Sequence, residues 1–172
     1  MKESIGSTQL YIIVITMVLL FTGILAFAMN RANAFAVKNQ IVSIIEANDG
    51  YAANDPNSPV IESIVKAMAE KQYNQLGSCE KEEEMFKTYS QKHLLDMEEA
   101  EKKKVGVFYY KRDGSESADV NSAAFCVVKT PVTNGDVTRY YYRVVIFYSI
   151  DVPILKTLLT FRDIGETKIL NN

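Results

Sequence analysis

A chain of 172 residues with 19 Lys and Arg against 21 Asp and Glu, net charge −2, has the length of one folded domain and lacks the basic excess that neutralises phosphates, which argues against a nucleic-acid partner. One histidine and two cysteines leave little material for a metal site or a nucleophile–base set, so no cofactor and no enzymatic activity are expected. The apolar residues crowd into positions 1–45, and the more polar remainder is long enough to bury a core of its own.

In chain order, the first element is the uncharged run LYIIVITMVLLFTGILAFAM, Leu10 to Met29. About 20 residues at 1.5 Å per residue span about 30 Å, the thickness of a bilayer core. Thr16 and Thr22 are tolerable inside it because their hydroxyls can bond back to helix carbonyls. A secretory signal usually has a shorter apolar region behind a positive start, and here Lys2 is offset by Glu3. Ala26-Phe27-Ala28, Ala32-Asn33-Ala34 and Ala34-Phe35-Ala36 are nonetheless candidate cleavage sites, so a removable signal stands as an alternative.

The residues beyond Met29 favour retention. Phe35, Val37, Ile41, Val42, Ile44 and Ile45 follow helical spacing, with Arg31, Lys38 and Glu46 largely on another face. No proline or glycine interrupts the chain until Asn48-Asp49-Gly50 supplies a stop. The pattern predicts one helix over about 8–47, about 60 Å long, apolar all round in its first half and amphipathic in its second. A span followed by a separate short helix is the alternative. The implied organisation is a leader over 1–9, a membrane helix over 10–29, an amphipathic continuation over 30–49 and an α+β domain over 50–172. Arg31 and Lys38 against Lys2 and the amino terminus leave the charge rule for orientation close to even, slightly against an outward domain.

After a loop rich in Asn, Pro and Ser, Ser58-Pro59 reads as an N-cap and first helical position, with Val60, Ile61, Ile64, Val65 and Met68 as an apolar stripe of a helix over 59–75 ending near Gly77. Cys79 and Cys126 are either disulfide-bonded or two buried thiols. Between them, Phe86, Tyr89, His93, Leu94 and Met97 recur at helical steps. The Glu82-Glu83-Glu84 block at the start and Lys102-Lys103-Lys104 at the end complement a helix dipole, so these charges read as a solvated helix face.

From Val105 the pattern becomes strand-like. VGVFYYK is followed by an Asp113-Gly114 turn, AAFCVVKTPV by an Asn134-Gly135 hairpin turn, then TRYYYRVVIFYSI. Both alternating sets of the third strand carry apolar bulk, so both sheet faces are expected to be at least half covered, one of them by the long helix. Tyr140 to Tyr142 pack within the sheet or present an exposed contact surface. A break at Asp151-Val152-Pro153 precedes a last strand or strand pair in LLTFRDIGETKIL. The predicted fold class is α+β: N-terminal helices on an antiparallel sheet of about four strands.

The stretches GSTQLYIIVITMVLLFTGILAFA, AFAVKNQIVSIIEANDGY and DVPILKTLLTFRDIGETK give the chain its family likeness. It resembles type IV pilin-like subunits and, among them, the TadE-like minor pilins of Gram-positive tight-adherence pili. The likeness is strongest over residues 1–50 and 138–172. It implies a membrane-held, outward-facing subunit that joins or primes a surface filament, with other pilin-like subunits or assembly machinery as partners. It implies a Cys79–Cys126 disulfide, leader cleavage between Gly6 and Ser7, and close helix packing at Gly23, Ala26, Ala28 and Ala32. One position departs from the family pattern: Tyr11 stands where such helices usually carry a glutamate, five residues after the glycine. That departure motivates the competing expectation of a single-pass, membrane-tethered extracellular binding module that does not polymerise.

Overall fold

A computed structural model describes residues 2–51, 58–94, 102, 104–134, 137–149 and 160–171. Three helices precede a four-stranded sheet: α1 (Lys2–Ala47), α2 (Pro59–Glu70) and α3 (Glu80–His93), then β1 (Gly106–Tyr110), β2 (Phe125–Asn134), β3 (Val137–Ser149) and β4 (Thr160–Glu166). The sheet is antiparallel throughout, in the order β1-β2-β3-β4. The α+β expectation therefore holds, with a single uninterrupted first helix. The pairing of β2 with β3 runs up to Asn134 opposite Val137, so the hairpin connection falls where Asn134-Gly135 placed it. The break at Asp151-Pro153 lies outside the described residues.

Two of the helices end by the same device. After α1, Asp49 takes a left-handed conformation (φ 50°), and the Gly50 N–H donates to the Ile45 carbonyl at 2.9 Å. After α2, Gln72 does the same (φ 51°), and the Tyr73 N–H donates to the Met68 carbonyl at 2.9 Å. These are Schellman closures, which consume the last carbonyls of a helix. The second stops α2 at Glu70, short of the expected residue 75, because Gln72 adopts the conformation for which glycine is the usual signal. Ser58 caps α2 as expected, accepting from the Val60 N–H at 3.4 Å, with Pro59 in the first turn.

The larger core lies between one face of the sheet and the pair α1 and α2. Val37, Ile41 and Ile45 from α1 meet Ile61, Ile64 and Met68 from α2 over Phe125, Val127, Tyr142, Val144 and Ile146. Each such side chain removed from water stabilises the fold by about 1.5–3 kcal/mol. Tyrosine hydroxyls knit this layer. The Tyr51 and Tyr110 hydroxyls lie 3.0 Å apart, and the Tyr142 hydroxyl donates to the Tyr51 carbonyl at 3.2 Å. The Tyr73 hydroxyl accepts from the Phe147 N–H at 2.9 Å, supplying a partner just beyond the last β2–β3 pair.

On the opposite sheet face a smaller cluster gathers Cys79, Ala123, Cys126, Val145 and Phe147. Cys79 and Cys126 form a disulfide with Cα atoms 6.3 Å apart, tying the start of α3 to β2. Both faces of the sheet are thus covered, and α1 is the main cover on one.

Two helix readings change. Lys38 sits on the packed face of α1, only 6% exposed, because its ammonium meets Asp163 Oδ2 of β4 at 3.0 Å. Phe35 faces outward at 53% exposure, with the same ammonium 4.3 Å from its ring. On α3, Glu82 leaves the expected solvated face: it is 2% exposed and paired with Arg162 of β4. α3 closes at His93, so Lys102 and Lys104 lie beyond its end rather than in its last turn; Met97 and Lys103 lie outside the described residues.

Candidate functional site: the exposed half of the long helix and its seat on the domain

Every described side chain from Thr8 to Thr22 is exposed. Leu10, Ile13, Leu19, Leu20 and Phe21 show between 56% and 66% of their surface. These residues lie all round the helix, and monomeric soluble proteins rarely expose contiguous apolar surface on this scale. The stretch is long and apolar enough to cross a membrane, and none of it is buried inside the molecule. Thr16 Oγ1 donates to the Ile12 carbonyl at 2.8 Å and Thr22 Oγ1 to Val18 and Leu19 at 3.0 Å, so both hydroxyls are satisfied within the helix as lipid would require.

Contact with the domain begins within the last turn of the apolar run. Phe27 touches the sheet, its ring centroid 5.8 Å from Tyr148 and 5.5 Å from Phe161. One turn on, Asn30 Nδ2 donates to the Ser149 carbonyl at the end of β3, at 3.1 Å. Asn33 Nδ2 donates to the Lys71 carbonyl at the end of α2, at 2.8 Å. Each asparagine satisfies a terminal carbonyl that would otherwise need water. Ala34, Val37, Lys38, Ile41 and Ile45 complete the seat. At Gly165 of β4 the strand comes so close to α1 that an added Cβ would lie 3.0 Å from Val42.

Of the residues singled out in the sequence, Gly23 and Ala26 are half-buried and Ala28 and Ala32 are exposed on α1. Ala28, Ala32 and Phe35 continue an outward apolar stripe above the run. Gly6 and Ser7 lie in the first turns of α1. Of the three tyrosines, Tyr140 and Tyr142 are buried under α1 or beside Lys129 rather than displayed. Only Tyr141 turns to the other sheet face. There it lines a groove of about 450 Å³ against α3, with Phe86, Tyr89, His93, Val128 and Arg143. His93 stacks on Tyr89 with centroids 4.9 Å apart. Among the described residues no group of three or more His, Cys, Asp or Glu could hold a metal ion.

Burial governs the titration of the buried phenols. Loss of hydration pushes Tyr110 and Tyr142 up to about 12, in each case offset in part by hydrogen bonding with Tyr51. Tyr51 itself is pushed well above its ordinary value by burial and by the neighbouring Tyr110. These are core groups held neutral, far from the exposed helix.

Sequence reasoning missed the two asparagines and the Lys38–Asp163 and Glu82–Arg162 pairs. Asn30 and Asn33 had a faint signal, as amide side chains immediately after an apolar run. The ion pairs had none, because their members are distant in sequence.

Comparison with protein-family models, with curated proteins and with solved structures finds no match. The architecture itself is pilin-like: a long N-terminal apolar helix packed on a four-stranded antiparallel sheet. The disulfide fits a domain in an oxidising compartment.

Proposed function

We propose that this chain is a membrane-anchored, outward-facing pilin-like subunit, of the TadE-like minor pilin or pseudopilin kind, that contributes to assembly of a surface pilus or secretion-type filament. The observation that carries the reading is the division of α1. One half is apolar and exposed all round, and the other is built into the domain without a break. A rigid continuous helix lets a subunit pass from lipid to a helical assembly while Leu10 to Met29 stay away from water in both. In lipid those side chains meet acyl chains; in an assembly they meet the same half of neighbouring copies. The role is structural rather than catalytic, and the partners are the membrane and other pilin-like subunits.

The test is recovery. Filaments sheared from the cell surface should contain the chain at a constant ratio to the principal subunit, with its mature end at Ser7. A chain found only in the membrane fraction, under conditions where filaments are abundant, contradicts the filament role. It would leave the tethered, non-polymerising binding module, the reading that Tyr11 in the usual glutamate position favours.

A further inference from the structure

The position of the domain along α1 carries a consequence for how it meets the bilayer. Between Glu3 and Arg31 the chain has no charged residue, so the hydrocarbon boundary on the domain side falls before Arg31. Phe27 is four residues earlier, about 6 Å along the axis. Helix side chains lean toward the N-terminus, so its ring lies lower still, over the preceding turn. Yet this ring is already in contact with the sheet, through Tyr148 and Phe161, which stack on each other at 5.4 Å. Phe161 keeps 36% of its surface exposed, and Ile24, one turn below Phe27, keeps 62%. The described residues contain no stalk between the apolar run and the domain, and Asn30 and Asn33 fasten the two together.

We propose that Phe27, Tyr148 and Phe161 form a lipid-contacting collar, which seats the membrane-proximal end of the sheet in the headgroup layer on the domain side of the bilayer. The inference rests on α1 being a membrane anchor and adds that the domain itself touches lipid. The chemistry suits that layer: three aromatic rings, one with a phenolic hydroxyl, with exposed Arg31 one helical turn after Phe27. The occupant is the bilayer, because the collar is continuous with the helix surface that lipid covers. A consequence is that the domain is held in one orientation relative to the membrane, with the β2–β3 hairpin pointing away.

The chain has no tryptophan, so single substitutions are clean reporters. Four full-length variants would be reconstituted in phosphatidylcholine–phosphatidylglycerol vesicles with and without brominated acyl chains: Phe161→Trp, Thr160→Trp beside it, Val137→Trp at the far end of β3, and Leu20→Trp in the apolar run. The expected result is that Leu20→Trp and at least one of Phe161→Trp and Thr160→Trp lose roughly half their emission to the bromines, with blue-shifted spectra, while Val137→Trp is unaffected. Quenching at Leu20→Trp with none at either collar position overturns the collar and leaves the anchor intact. No quenching at Leu20→Trp overturns the anchor and the collar together. A blue shift at Phe161→Trp that bromines do not quench, and that grows with protein density in the vesicle, assigns the collar to a second copy of the chain and overturns the lipid assignment.

Discussion

The two halves of α1 share one helix and differ in what covers them. From Leu10 to Leu25 the apolar side chains project in every direction and the domain covers almost none of them. From Ala34 to Ile45 burial returns at every third or fourth position, and the opposite side carries Phe35, Asn39 and Ser43. The first half has no preferred face because the domain lies against almost none of it. The second has one because a sheet lies on one side. The junction is sharp: Asn30 and Asn33 donate their amides to the ends of β3 and α2, so the helix turns from an exposed apolar rod to a structural member within about two turns. Function can therefore be changed in one half with the other left standing.

The largest separable effect is expected from the disulfide. It joins residues 47 apart, and removing that constraint in the Cys79→Ala/Cys126→Ala double variant should cost the domain about 4 kcal/mol in denaturant unfolding, with recovery in membranes unchanged. Equal loss from membranes would mean that anchoring depends on the folded domain, and the two halves would not be independent.

A mirrored pair of substitutions comes next. Ile41→Ala should destabilise the domain by about 3 kcal/mol without affecting membrane extraction, since Ile41 is fully buried in the seat. Val18→Arg should do the reverse, opposing insertion by about 3 kcal/mol while the domain melts unchanged in detergent. A comparable melting change for both would collapse the distinction.

A smaller effect is expected at Asp163. Asp163→Ala leaves the buried Lys38 ammonium without its carboxylate, and because Asp163 is a third exposed the loss should be about 2 kcal/mol, read as a lowered denaturation midpoint. Asp163→Ala together with Lys38→Met should regain much of it, since a buried pair replaced by apolar bulk is often neutral.

The mildest condition-dependent effect is alkaline. Tyr110 and Tyr142 hold their protons up to about 12 when folded, whereas an unfolded tyrosine releases its proton near 10. The folded state then binds more protons than the unfolded one, so stability is intact below about pH 10 and falls as pH rises toward 12. Tyrosinate absorbance should show a late fraction appearing together with loss of sheet circular dichroism. Titration of Tyr110 and Tyr142 near 10 in a folded domain would contradict this burial.

Much of this organisation was legible in the sequence because it rests on local chemistry. The strands announced themselves through β-branched and aromatic runs, and the end of α1 through Asn48-Asp49-Gly50. The helix α2 overran in the sequence reading because Gln72 adopts a backbone conformation that only glycine advertises. Lys38 and Phe35 exchanged faces for a reason periodicity cannot contain: the ammonium is neutralised by Asp163, 125 positions away. Glu82 looked like one of three solvated acids until Arg162 came to meet it from β4. The pairing of the cysteines came from the family likeness, since their spacing alone was equally compatible with free thiols. The collar at Phe27 was hidden for the same reason, its three rings being contributed by α1, β3 and β4.

The central claim is that α1 keeps its apolar run Leu10 to Met29, anchored by that half and fixed to an oxidised domain by the other. It is tested most directly by the intact mass of the chain from carbonate-washed membranes, alkylated without reduction. The account predicts a mass that retains Leu10 to Met29 and carries no alkyl group on Cys79 or Cys126. A chain that begins after Met29, or one that carries two alkylated thiols, would contradict it.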